Sequence, residues 1–160
     1  MKKKIVPLLI FTSLTSAGLC WAPTAMSQQK AEDKIKFRQS GFMFMRWNMG
    51  IIKKNVIKAP QRFNREKVIA AARVIESISQ SGIQSLFSPG TETGKGWKET
   101  RVKKVYFNNP DKVNQYTVDL INEAETLVEV SKNGDIDDIK SQFKTVLNTC
   151  KGCHKSYRKK

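Results

Sequence analysis

The chain has 160 residues, with 29 lysines and arginines against 14 acids and a formal net charge of +15. That length suits one domain rather than two, and three cysteines are too few for a disulfide-rich scaffold. The positive charge would attract nucleic acid, anionic lipid or an acidic protein. Its carriers are spread along the chain rather than gathered in one run, so they read as a solvated cationic surface.

Residues 1–27 have the pattern of a cleaved export signal. Lys2, Lys3 and Lys4 precede a mostly apolar stretch from Ile5 to Leu19, and Ala25-Met26-Ser27 offers small residues for cleavage before Gln28. The apolar stretch falls short of the ~20 residues that span a bilayer. Leu19 disfavours a lipid-modified Cys20. Cleavage would remove Cys20 and three lysines, leaving a domain over 28–160 with two cysteines, located in the periplasm. Export in turn argues against a nucleic-acid partner.

Four amphipathic helices follow. The first is predicted over about Ala31–Ile57, where Ile35, Arg38, Phe42, Met45, Met49, Ile52 and Val56 step by three and four, and Pro60 ends it. The second runs over about Asn64–Ser81, with Val68, Ala71, Ile75 and Ile78 as its stripe and Gly82 as its stop. A long loop from Ile83 to about Thr100 carries Pro89-Gly90, Gly94 and Gly96, and loops of that length often sit over a site. The third helix starts near Pro110, with Asn109 placed to cap it, and ends at Asn133-Gly134. The fourth covers about Asp135–Arg158, acidic in its first turn and basic in its last. Its seam is Ile139, Phe143, Val146, Cys150, Cys153 and Tyr157. No strand pattern competes. The expected fold is all-α, an antiparallel four-helix bundle.

Cys150-Lys151-Gly152-Cys153-His154 has the spacing of a covalent haem attachment site, here near the C-terminus. On a helix the two thiols lie one turn apart on one face, so each can add to one vinyl group of a haem edge. His154, one turn beyond Cys150, can then reach the iron, with Nδ1–H needing a partner to fix the tautomer. Gly152 leaves room for the helix to approach the haem closely. A zinc site would need a fourth ligand. A redox dithiol would sit at the start of a helix, after a strand. Export also favours haem, since c-type haem is attached outside the cytoplasm. His154 is the only histidine, so two histidines of one chain cannot bind the iron. The sixth position is left to a methionine, a weaker donor or nothing.

The chain resembles cytochrome c′ over the whole exported part. The resemblance rests on Lys36-Phe37-Arg38-Gln39-Ser40 in the first helix, Phe87-Ser88-Pro89-Gly90-Thr91-Glu92 in the loop, and Cys150-Lys151-Gly152-Cys153-His154-Lys155-Ser156-Tyr157-Arg158 at the end. It implies one haem c and a five-coordinate, high-spin iron whose open face is covered by the side chain four residues after the arginine. Here that is Phe42, where low-spin relatives of the fold carry a coordinating methionine. Met43 should point elsewhere, and Met45 and Met49 read as packing. Arg38 and Gln39 match residues that hold haem propionates, which suits an arginine on the seam, where an anion is expected. Arg158 matches the arginine beside the proximal histidine, and Phe87 packs on the haem. Gln84 departs from the family, which often has tryptophan there. Trp47 and Trp97 read as packing. A homodimer through the first two helices is also implied.

The function expected from this reading is binding of small diatomic gases, NO above all and CO with it, with NO scavenging as the role. The distal face is expected to be apolar and crowded, with no hydrogen-bond donor for bound O₂. The competing expectation is electron transfer to an acidic partner through a low-spin iron. No nucleophile–base pair suggests an enzyme.

Overall fold

The structure, a computed structural model, describes residues 23–160. Four helices carry the fold: α1 (Pro23–Lys53), α2 (Arg65–Gln80), α3 (Pro110–Asn133) and α4 (Ile136–Tyr157). Strand structure among the described residues amounts to two isolated bridges, Lys95 with Glu99 and Val102 with Arg158. The expected signal segment falls outside the described residues as far as residue 22, and α1 runs from Pro23 through the expected cleavage point.

The helix ends have identifiable causes. α1 closes through a π-helical turn at Lys54–Lys58. Within it the buried Asn55 donates to Ile51 O at 3.0 Å and accepts from Asn64 N at 3.0 Å, locking the α1–α2 corner. Asn64 caps α2 by accepting from Lys67 N at 2.9 Å. Gly82, at φ 73°, supplies the left-handed residue that turns the chain after α2. Asp135 caps α4 in a reciprocal box with Asp138. Asn109 stands at the expected cap position of α3, but its side chain turns back to donate to Val105 O at 3.0 Å, so it caps nothing. The carbonyls at the end of α3 are served from α2 instead. Arg65 donates to Ser131 O at 2.7 Å and Gly134 O at 2.9 Å.

The seams meet in one core of Ile52, Val56, Val68, Ile75, Leu127, Ile139, Phe143 and Val146, all nearly or wholly buried. Ion pairs contribute little. The three among the described residues are Lys36–Asp33, Lys132–Glu129 and Lys140–Asp137, all at solvent-accessible i,i+3 positions.

Two assignments change on α1 and the loop. Trp47 and Trp97, expected to pack, are 67 % and 63 % exposed. Trp47 belongs to a second apolar face of α1 with Phe37, Met43 and Phe44, all exposed. The heptad seam did not register this face because the seam residues already satisfy the core. Trp97 lies on the loop and donates from Nε1 to Ser40 Oγ at 2.8 Å.

Phe143→Ala should lower stability by about 3–5 kcal/mol through cavity formation, read by denaturant unfolding. A loss below about 1 kcal/mol would mean that the bundle can collapse around that site.

Candidate functional site

The site is built where the end of α4 meets α1 and the segment between α2 and α3. α4 carries Cys150 and Cys153 half-buried and as free thiols, with Cys150 packed against the core. Burial pushes both thiols up, Cys153 to about 11 with help from the neighbouring Cys150. They are therefore protonated at neutral pH, unlike the lowered thiolate of a redox dithiol. No cluster of three or more His, Cys, Asp or Glu side chains suited to a metal ion exists among the described residues, which leaves zinc without its ligands.

His154 follows at once. Its ring is open to solvent at the rim, yet the atoms packed around it remove hydration. This desolvation, then the charges of Arg158 and Arg101, hold its pKa below the ordinary value. A neutral imidazole is the form that binds a metal. Gly152 does admit a close approach, but its neighbour is protein: a Cβ there would stand 3.0 Å from the ring of Tyr116 on α3.

The last turn of α4 is fixed by a segment that sequence reasoning passed over. Lys103 N donates to Tyr157 O at 2.9 Å and Lys159 N to Arg101 O at 2.7 Å. The Lys103 ammonium reaches Ser156 O at 3.1 Å and Lys155 O at 3.3 Å. The Lys103 bonds take up carbonyls that the helix end leaves unpaired, and the Lys159–Arg101 bond holds the segment in place. They also bring Arg101 beside Arg158, and the positive charge of Arg101 lowers the pKa of Arg158, after desolvation.

Arg38 is 3 % exposed. Its guanidinium donates to Thr91 Oγ1 and Thr100 Oγ1, each at 2.6 Å, to Thr91 O, and to Leu86 O at 3.2 Å. It also lies 4.6 Å over the ring of Phe87. These partners, which the sequence did not reveal, are neutral oxygens of the loop. Burial still lowers its pKa. Its Nε–H has no acceptor among the described residues. Gln39 is also tied to the loop, donating to Lys98 O at 2.8 Å and accepting from Lys98 N at 3.2 Å. Gly96 permits this docking. A Cβ there would stand 2.7 Å from Gln39 Oε1 and 2.8 Å from Lys36 N.

An aromatic wall completes the site. Phe42 meets Phe87 edge-on at 6.1 Å, Phe87 stacks on Tyr106 at 4.8 Å, and Tyr106 meets Tyr157 at 5.6 Å, which meets Tyr116 at 6.2 Å. Tyr106 and Tyr116 were not anticipated, and no spacing signal marks them. Met45 is buried in the core and Met43 is 63 % exposed.

A pair of free thiols one helical turn apart, with the chain's one histidine next to them and an aromatic wall alongside, fits a c-type haem. The fold and site define a four-helix-bundle haem protein. The family model for cytochrome c′ matches residues 33–158, and the chain belongs to the cytochrome c′ family. A cytochrome c′ from Rhodocyclus tenuis is 45 % identical over 131 residues, covering 82 % of this chain and 97 % of that one. Among solved structures, a cytochrome c′ with ligand-controlled dimer dissociation superposes with a TM-score of 0.76 at 40 % identity, covering 81 % of this chain and 97 % of that one. A nitric oxide complex of a cytochrome c′ variant from Alcaligenes xylosoxidans superposes at 0.70 with 26 % identity and the same coverage.

Arg38→Gln should cost about 2–3 kcal/mol by breaking several bonds to a charged donor, and should speed amide exchange at Thr100 while α3 stays protected. An unchanged Thr100 would mean that the loop holds without Arg38.

Proposed function

We propose that this chain is an exported mono-haem cytochrome of the periplasm that binds NO and other diatomic gases at a five-coordinate, high-spin iron and serves to scavenge NO. The observation that carries this is the side chain set facing the aromatic wall. Phe42 has no donor atom, Met45 is in the core and Met43 faces solvent. None of the three is placed to occupy a sixth position.

The bound haem would supply an iron centre with one open axial position. The Cys150 and Cys153 thiols would hold the group covalently, through thioethers to its two vinyl groups. His154 provides the one protein ligand. Arg38 through Nε–H, and Gln39 through the Nε2 hydrogen that Lys98 does not use, donate to the haem carboxylates. Phe87 packs against the haem between Arg38 and Phe42. Phe42 restricts entry by bulk, which penalises a ligand that binds weakly. NO tolerates the penalty because its bond to ferrous iron is strong. Arg158, four residues beyond His154, stands beside the proximal side. The nitric oxide complex of the Alcaligenes xylosoxidans relative supports this reading.

The electron-transfer reading draws on one feature, the basic end formed by Arg101, Lys103, Arg158 and Lys159, which would suit an acidic partner.

The second apolar face of α1 supports a homodimer. Contiguous exposed apolar residues such as Phe37, Met43, Phe44 and Trp47 mark an interaction surface. A shallow apolar groove lined by Gly41, Met43, Phe44, Trp47 and Ile78 joins α1 to α2. The relative with ligand-controlled dimer dissociation fits this reading.

Phe42→Ala should speed CO association about tenfold or more, equivalent to removing ~1.4 kcal/mol of barrier, in flash photolysis. Phe42→Met should give a low-spin protein that no longer takes up CO readily. Unchanged kinetics in both would remove Phe42 from the open face. Trp47→Glu should convert a sedimenting dimer to monomer, and a wild-type monomer at all concentrations would contradict the dimer.

A further inference from the structure

A polar pair stands in the aromatic wall and has no part in the scheme above. Tyr106 is buried, and its hydroxyl donates to Gln84 Oε1 at 2.8 Å. Burial drives the Tyr106 pKa well above its ordinary value of 10.0, so the phenol stays protonated and remains a donor.

The position of Gln84 is set by three ties between its 3₁₀ turn (Ile83–Leu86) and the stretch of α1 from Arg38 to Phe42. Leu86 O accepts from Arg38 at 3.2 Å. Ile83 fills the notch at Gly41, its Cδ1 2.7 Å from where a Cβ would stand. Phe87, just after the turn, meets Phe42 edge-on. Residues three apart in a 3₁₀ turn eclipse one another, and Phe87 N donates to Gln84 O at 3.0 Å. Gln84 therefore shares the side of the turn that carries Phe87. Tyr106 stacks on Phe87 and takes up Gln84 Oε1. Gln84 is half-buried, and its amide nitrogen keeps two N–H groups with no acceptor among the described residues, so it is accessible and free to donate.

We propose that Gln84 is a specificity-determining residue that donates a hydrogen bond to the outer atom of a diatomic ligand, with Tyr106 as the residue that positions it. This rests on the reading that Phe42 covers the open face, and it replaces the expectation of a distal side without a donor. Bound O₂ and NO carry more negative charge on the outer atom than bound CO, so the donor favours them over CO. Gln84→Leu changes this preference without touching Arg38, the thiols or His154.

The test is the infrared C–O stretch of the ferrous CO complex in haem-loaded wild type, Gln84→Leu and Tyr106→Phe. A donor to the ligand lowers that frequency. The wild-type band should therefore shift in D₂O, Gln84→Leu should move it upward and abolish the D₂O shift, and Tyr106→Phe should broaden or split it. O₂ dissociation from the ferrous protein should rise about tenfold in Gln84→Leu, the scale of one hydrogen bond. A wild-type band insensitive to D₂O and unmoved in Gln84→Leu overturns the role of Gln84 while leaving the open site intact. Failure of wild type to bind CO overturns both. The D₂O comparison needs no variant, so a misfolded Gln84→Leu leaves the proposal testable.

Discussion

A buried cation held by neutral loop oxygens organises the site end of this bundle. The Arg38 guanidinium lies in the seam of α1 and holds Leu86, Thr91 and Thr100, which span about half of the connection between α2 and α3. A charge removed from water is costly unless it is hydrogen-bonded, and oxygens of the loop serve both terminal nitrogens of Arg38 while leaving Nε–H free for the site. The same group lies over Phe87, which meets Phe42 and stacks on Tyr106. One arginine thus couples a helix, a loop that would otherwise be loosely held, and the aromatic wall beside the cysteines. The loop needs such an anchor because it has little regular structure of its own.

The opposite side of the site depends on the end of α4. A helix leaves its last carbonyls unpaired, and the attachment cysteines lie within two turns of that end. Lys103 closes those carbonyls, and the Arg101–Lys159 pairing holds the segment beside the helix end. Desolvation first, then the arginines that the same contacts gather near His154, favour its neutral form. α1 contributes in two directions at once. Its inner seam presents Arg38 and Phe42 to the site, while Phe37, Phe44 and Trp47 face outward. A ligand that displaces Phe42 would push on the helix that carries the proposed dimer face.

Much of this was legible from residue spacing. The 3–4 stepping located α2, α3 and α4 to within a residue or two, because core burial imposes that period. By contrast, α1 begins at Pro23, eight residues before the expected start, where no apolar stripe marks it. Cys150, Cys153 and His154 stood out because their spacing is itself the chemical requirement. What escaped was whatever depends on contacts distant in sequence. Asn109 was read as a cap from its position, and only the three-dimensional turn shows it bonding to Val105 instead. Arg38 was read only as a partner of an anion, since a lone sequence cannot show four loop oxygens reaching it from 48 to 62 residues away. Trp47 was read as packing because burial and a second exposed face look alike in a string of apolar residues. Tyr106 and Gln84 carry no periodic signal, and their pairing appears only once the two connecting turns meet.

The central claim is that Phe42 leaves an axial position of the iron open. The most direct measurement is resonance Raman spectroscopy of the reduced, haem-loaded protein in the region of its spin-state marker bands, with the iron–histidine stretch recorded alongside. The account predicts marker bands of a five-coordinate high-spin iron and a visible iron–histidine stretch from His154. Low-spin, six-coordinate marker bands in the wild-type protein would show a side chain in the position that Phe42 is held to leave open, and would contradict the account.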